Sequence, residues 1–249
     1  MSTQRTKPVI FLAFANSSSN PLPYLAEEYH RLEAIVKQAE QKGLCELVVA
    51  PYATVDDILG VFQDERYRRR IAVFHYAGHA DSYALLLQDV AGQPAVADAG
   101  GLAAFVGHQS GLQLVFLNGC STQPQVQGLL AAGVAVVIAT SQAIYDQVAT
   151  DFAVRFYQFL ANGDALGVVF EKAQAAVQTT HGSNMRHLYA ITSQDTRVTD
   201  RWPWDRYVRT GAEATLHWIL PDAANDPLFG LPPIAEKYYQ RLPDQPFRG

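Results

Sequence analysis

Ile71-Ala72-Val73-Phe74-His75-Tyr76-Ala77-Gly78-His79 and Leu112-Gln113-Leu114-Val115-Phe116-Leu117-Asn118-Gly119-Cys120 are two stretches of the same build. Each is a mostly apolar run of strand length that ends near a glycine, and each glycine is followed by a residue able to do chemistry. Runs that do not alternate with polar residues suit strands buried on both faces, as in a parallel sheet covered by helices. In open parallel sheets functional groups gather beyond the carboxyl ends of the strands. His79 and Cys120 stand 41 positions apart and leave the same edge if the two strands are neighbours.

Outward from these runs, strand and helix signals alternate. Residues 9–14 form another apolar run, followed by the loop sequence Asn16-Ser17-Ser18-Ser19-Asn20-Pro21. Residues 24–41 carry Leu25, Tyr29, Leu32, Ile35, Val36 and Ala39 at helical spacing, and Gly43 stops that helix. A second strand is expected over 44–50, and Thr54 caps a helix bearing Val55, Ile58, Leu59 and Phe62. A short strand at 83–88 is followed by the turn Gly92-Gln93-Pro94, then by a helix over 98–108. Pro124 opens a helix that Gly133 ends, and a strand over 134–140 follows. Two further helices, 146–161 and 164–177, each begin with an Asp suited to capping. A last strand is expected over 214–220. The pattern predicts an α/β fold with a mostly parallel central sheet and helices on both faces. Beyond it, Pro221, Pro227, Pro232, Pro233, Pro243 and Pro246 read as an extended tail or interdomain linker. The expected organisation is a domain at 7–220 and a Pro-rich segment at 221–249.

The composition narrows the function. Hydrophobic residues are 49% of the 249 and charged residues 17%, enough apolar material for a full core. A net charge of -5 gives no reason to expect nucleic acid or anionic lipid as the main partner. The basic run Arg66-Tyr67-Arg68-Arg69-Arg70 reads as a solvated helix end. No stretch approaches the ~18–20 apolar residues of a transmembrane helix, and the amino terminus lacks a signal-peptide layout. Cys45 and Cys120 are the only cysteines, so no disulfide framework is offered and a reducing cytoplasm is expected. Cys45 lies inside an apolar strand and reads as core, and Met185, Trp202, Trp204 and Trp218 read as packing.

A thiol and an imidazole at neighbouring strand ends form a nucleophile and a general base. The helix opening near Pro124 would favour thiolate at Cys120. On the residues alone a strand-end Cys is also compatible with inert packing. His75 and His79 have the i, i+4 spacing of a helical metal pair, but on a strand and turn that spacing does not share a face, and no metal site is expected. Asn16-Ser17-Ser18-Ser19 is a poor phosphate loop, which disfavours a nucleotide-binding domain.

His75-Tyr76-Ala77-Gly78-His79-Ala80 resembles the His block of CHAT domains, in the caspase-like clan of cysteine peptidases. Residues 115–122, Val-Phe-Leu-Asn-Gly-Cys-Ser-Thr, resemble the matching nucleophile block, and the similarity continues through 133–141 and 152–157. The resemblance implies a caspase-hemoglobinase-like fold and a cysteine endopeptidase acting on protein substrates, with no cofactor. It implies His79 as general base and Cys120 as nucleophile. The N–H of Cys120 and one beside Gly78 would form the oxyanion hole, with Gly119 leaving room for the peptide. Asn118 and Asp146 would bind substrate; Asn118 stands where relatives that cleave after basic residues often have Asp, so an acidic contribution is sought at Asp146 or Asp151, which could equally be helix caps or solvated residues. Leu242-Pro243-Asp244-Gln245-Pro246-Phe247-Arg248-Gly249 resembles the linker before a STAND-type ATPase. This implies an amino-terminal effector, regulated by a sensor or ATPase module, in bacterial defence or cell death, in a protein continuing past Gly249. The alternative is a catalytically silent interaction module on the same fold.

Overall fold

In a computed structural model, residues 7–16, 20–81, 83–89, 91–181, 202–226 and 228–230 are described. The strands are β1 (Val9–Ala15), β2 (Glu46–Ala50), β3 (Ile71–Gly78), β4 (Ala84–Gln88), β5 (Pro94–Asp98), β6 (Leu114–Asn118), β7 (Val136–Thr140) and β8 (Trp204–Val208). The helices are α1 (Leu25–Gln41), α2 (Val55–Gln63), α3 (Ala99–Gly107), α4 (Val126–Ala132), α5 (Asp146–Ala161), α6 (Leu166–His181) and α7 (Leu220–Asn225). Six strands form one sheet in the order β2-β1-β3-β6-β7-β8; all neighbours are parallel except β7 and β8. β4 and β5 form a separate antiparallel hairpin.

The continuous apolar runs are explained by helices on both faces. Along β1, Ile10, Leu12 and Phe14 face one core with residues of α1, α5 and α6. Val9, Phe11, Ala13 and Ala15 face the other, with Ile58 and Phe62 of α2, Ala103 and Val106 of α3, and Val126 and Leu129 of α4. Every residue of β1, β3, β6 and β7 is buried. Burying a Phe or Leu side chain is worth about 1.5–3 kcal/mol, so these two layers supply most of the cohesion. Thr54 caps α2 as expected, in a reciprocal box with Asp57.

The structure departs from the sequence reading at several points. Residues 214–220 are not a strand: 213–217 form a 3-10 turn, and α7 starts at Leu220 with a proline in its first turn. The last strand is instead β8, which pairs antiparallel with β7 from Thr140↔Trp204 to Val136↔Val208. Leu220, Ala223 and Ala224 are buried, so packed structure continues past residue 220. Residues 231–249, including the linker-like end, lie outside the described residues. The Arg run is not a helix end either. α2 stops at Gln63, and 65–70 are turns in which Arg66 pairs with Asp64 and Arg70 with Glu46 at 2.5 Å. The hairpin's second strand, β5, starts at a proline and was not anticipated.

Candidate active site at the ends of the central strands

β3 and β6 are neighbours, paired through Ala77↔Asn118. His79 and Cys120 each follow that last pair by two residues, so they leave the same edge side by side. Two glycines allow the approach. A Cβ on Gly119 would lie 2.8 Å from both the Gly78 carbonyl oxygen and the Ala80 Cβ. A Cβ on Gly78, at φ 157°, would lie 2.5 Å from the Ala15 oxygen and 2.7 Å from the Tyr76 hydroxyl. Gly119→Ala is therefore expected to force the two strand ends apart and to cost about 1–3 kcal/mol, read as a lower melting temperature. An unchanged melting temperature contradicts this contact.

The His79 loop is tied to what surrounds it. His79 Nε2 lies 2.7 Å from the Asn20 carbonyl oxygen, in the loop after β1. A carbonyl only accepts, so Nε2 carries the hydrogen and Nδ1 is left as the acceptor nitrogen. On the backbone side, Leu86 N–H donates to His79 O at 2.9 Å and Asp81 N–H to Ala84 O at 3.0 Å. These bonds flank the Ala80↔Leu85 bridge, so the Ala80 N–H points away from the hairpin. Gly119 is close by: a Cβ built on it would lie 3.6 Å from the Ala80 nitrogen.

The Cys120 loop is pinned by the end of β7. Thr140 Oγ1 donates to the Gly119 carbonyl, and Thr140 N–H donates to Thr122 Oγ1 at 3.0 Å. Ser121 sits at φ 53°, in the left-handed region, and turns the chain directly after Cys120. Cys120 itself is half-buried. Burial pushes its thiol up, the Ile144 N–H bonded to its sulfur pulls it down, and the charge of Asp146 pushes it up again. The net direction is upward, so the expected gain from the helix near Pro124 does not prevail. Pro124 lies in a 3-10 turn, Gln123–Gln125, and α4 begins only at Val126. Only thiolate is alkylated, and a raised pKa moves thiolate formation to higher pH. Alkylation of Cys120 by iodoacetamide is thus expected to rise through a midpoint above the ordinary thiol value of about 8.5. Removing the negative charge in Asp146→Asn is expected to move that midpoint down. A midpoint below 8.5 in the unaltered chain contradicts this.

Asp146 opens α5 but does not cap it; Tyr145 holds that position without a side-chain bond. The Asp146 carboxylate reaches across to accept the Tyr24 N–H at 2.7 Å. Burial pushes its carboxyl up, the Tyr24 N–H lowers it, Glu28 raises it and His79 lowers it. Asp146 is thus near enough to both His79 and Cys120 for charge to act between them. Asp151 is committed elsewhere, to Arg31 at 3.4 Å and His181 at 2.8 Å.

Asn118 faces inward. Its Nδ2 donates to Glu28 Oε1 at 2.8 Å and to the Ala149 carbonyl at 3.2 Å, and its Oδ1 accepts from Trp204 Nε1 at 3.2 Å. The acceptor at the centre is Glu28, a carboxylate only 1% exposed that the sequence reading missed. Glu28 also accepts from His75 Nε2 at 3.2 Å and Thr150 Oγ1 at 3.4 Å. His75 is therefore a buried strut, separate from the surface-edge His79. Cys45 is buried, with its thiol pushed up to about 12.

A mostly parallel six-stranded sheet between two helical layers, with His and Cys at adjacent strand ends, defines a caspase-like architecture. The family model of the CHAT domain matches residues 2–218, and the chain belongs to that family. Two solved structures are similar in fold. A secreted C11 cysteine protease from Bacteroides thetaiotaomicron, in complex with an irreversible peptide inhibitor, is 10% identical, with TM-score 0.53 over 84% of this chain and 68% of that one. The Drosophila initiator caspase Dronc is 8% identical, with TM-score 0.52 over 87% of this chain and 83% of that one. No curated protein matches the chain significantly.

Proposed function

We propose that this chain is a cysteine endopeptidase in which Cys120 attacks a peptide carbonyl and His79 moves the protons. The observation that carries the reading is the pairing of β3 with β6 in a register that brings both residues off one edge. His79 Nδ1 takes the thiol proton as sulfur bonds to the carbonyl carbon, and the carbonyl π pair becomes an oxyanion. The N–H groups of Cys120 and Ala80 are the donors that would hold that oxyanion, across the side-chain-free Gly78 and Gly119. Collapse breaks the C–N bond, and His79 protonates the leaving amine. Water then attacks the thioester, giving a proton to His79, which returns it to the sulfur. Because the resting thiol is held protonated, His79 acts as general base during attack rather than through a preformed ion pair.

Regulation belongs to the same proposal. The raised thiol fits a resting state that waits for alignment, and the sequence of residues 242–249 suggests a following STAND-type ATPase or sensor module as the switch. The setting we infer is cytoplasmic, in bacterial defence or cell death; the two free thiols suit a reducing compartment. No described helix is long and apolar enough to cross a membrane. The test is the appearance of new peptide amino termini when the full-length protein is mixed with a peptide library. Termini formed by the intact protein and missing with Cys120→Ala support the reading; identical products from both overturn it. The burial of Cys120 favours one rival, a silent interaction module, which predicts that Cys120→Ala leaves the cellular phenotype intact.

A further inference from the structure

We propose that Asp146 selects the substrate, so that the residue on the amino side of the cleaved bond is Arg or Lys with its cation on the Asp146 carboxylate. The inference rests on the peptidase reading above and names the substrate class of that site. It starts from position. Ser121, directly after the nucleophile, donates its N–H to the Gln142 carbonyl at 3.4 Å, which ties the Cys120 loop to the segment leading into Asp146. The side chain next to the attacked carbonyl therefore emerges beside the segment that carries Asp146. That carboxylate is bonded to the Tyr24 N–H, four residues after the Asn20 carbonyl that meets His79, and its charge acts on both His79 and Cys120.

The state of the carboxylate gives the second argument. Asp146 is half-buried and accepts one backbone N–H, from Tyr24. Among the described residues no Lys or Arg side chain pairs with it. Other acids of the chain do hold cations: Asp151 has Arg31, Asp164 has Lys172, and Asp64 has Arg66. A partly desolvated carboxylate without a cation is costly, and an arriving cation relieves that cost. Glu28, buried behind it, adds negative potential and disfavours an acidic side chain. Asn118 cannot compete as the reader, because its amide is bonded inward to Glu28, Ala149 and Trp204. Recognition also feeds the chemistry. A cation docked on Asp146 offsets the negative charge that helps keep the Cys120 thiol protonated, so a basic side chain promotes the nucleophile it is presented to.

The test uses the full chain and peptide acyloxymethyl ketones that differ only in the residue before the ketone: Arg, Lys, Leu, Asn or Asp. Labelling of Cys120 is followed by intact mass. The Arg and Lys probes are expected to label at least tenfold faster than the other three. Asp146→Asn, which keeps an acceptor for the Tyr24 N–H, is expected to cut the Arg-to-Leu rate ratio at least tenfold, and Asp146→Glu to keep it above one. A faster Leu, Asn or Asp probe, or an unchanged ratio in Asp146→Asn, overturns the selectivity and leaves the peptidase reading standing. Alkylation of Cys120 by iodoacetamide with no labelling by any ketone overturns the peptidase reading, and the selectivity with it.

Discussion

Cys120→Ala and His79→Ala are each expected to lower kcat/KM for a peptide substrate by about 10^4-fold or more, with the double variant no worse than either single one. The non-additivity is the informative part. If sulfur and imidazole act on one proton in one step, removing either stops that step, and removing the second changes nothing further. The strand register makes this a local prediction, because both residues lie just beyond the Ala77↔Asn118 pair. His79 is no part of the two apolar layers, and Cys120 is packed only against the rim of one, where Cys120→Ala removes a single sulfur atom, so both variants are expected to unfold near the temperature of the intact chain. The measurement is turnover of a fluorogenic peptide by the full-length protein, with thermal unfolding of each variant alongside. Additive losses, or turnover that survives Cys120→Ala, contradict the dyad.

The largest expected effect on stability lies at Glu28. Its carboxylate is the shared acceptor for His75 of β3, Asn118 of β6 and Thr150 of α5. Glu28→Ala takes the acceptor from His75 Nε2 and one of two from Asn118 and Thr150, which keep the Ala149 and Tyr24 carbonyls. Leaving a buried donor without its acceptor costs about 1–3 kcal/mol, which for a chain of this size is a fall of about 5–10 °C in melting temperature. Glu28→Gln is expected to cost less. Its oxygen still serves His75 and Asn118, and its amide can turn to the Thr150 hydroxyl. Thermal or denaturant unfolding of the two variants checks the order. A Glu28→Ala variant within about 1 kcal/mol of the intact chain contradicts the network.

The central strands were readable because they are apolar on both faces. β1, β3 and β6 carry no alternation to confuse with an amphipathic helix, and their ends are punctuated by loop residues or glycine. β8 was not readable for the opposite reason. Its sequence, Trp-Asp-Arg-Tyr-Val, mixes charge with aromatics as an antiparallel edge strand does, and only Trp204 of its residues is buried. Missing β8 had a consequence at the site. Without Trp204 beneath it, Asn118 was placed facing the substrate, whereas Trp204 and Glu28 hold its amide inside. Glu28 did leave a signal. It stands three residues after Leu25 and four before Leu32, in the buried stripe of α1, where a charged residue is out of pattern. The remaining parts of the site are main-chain groups: the Asn20 carbonyl on His79, the Ile144 N–H on Cys120 and the Ala80 N–H near Gly119. Any residue type supplies them, so composition and spacing do not mark them.

The most direct test of the pairing is covalent capture. A peptide acyloxymethyl ketone is added to the full-length protein, and the adduct is located by peptide mass mapping. The account predicts one equivalent on Cys120, formed at least a hundredfold more slowly in His79→Ala, and none on buried Cys45. Equal rates with and without the imidazole, or an adduct at Cys45 in place of Cys120, would contradict it.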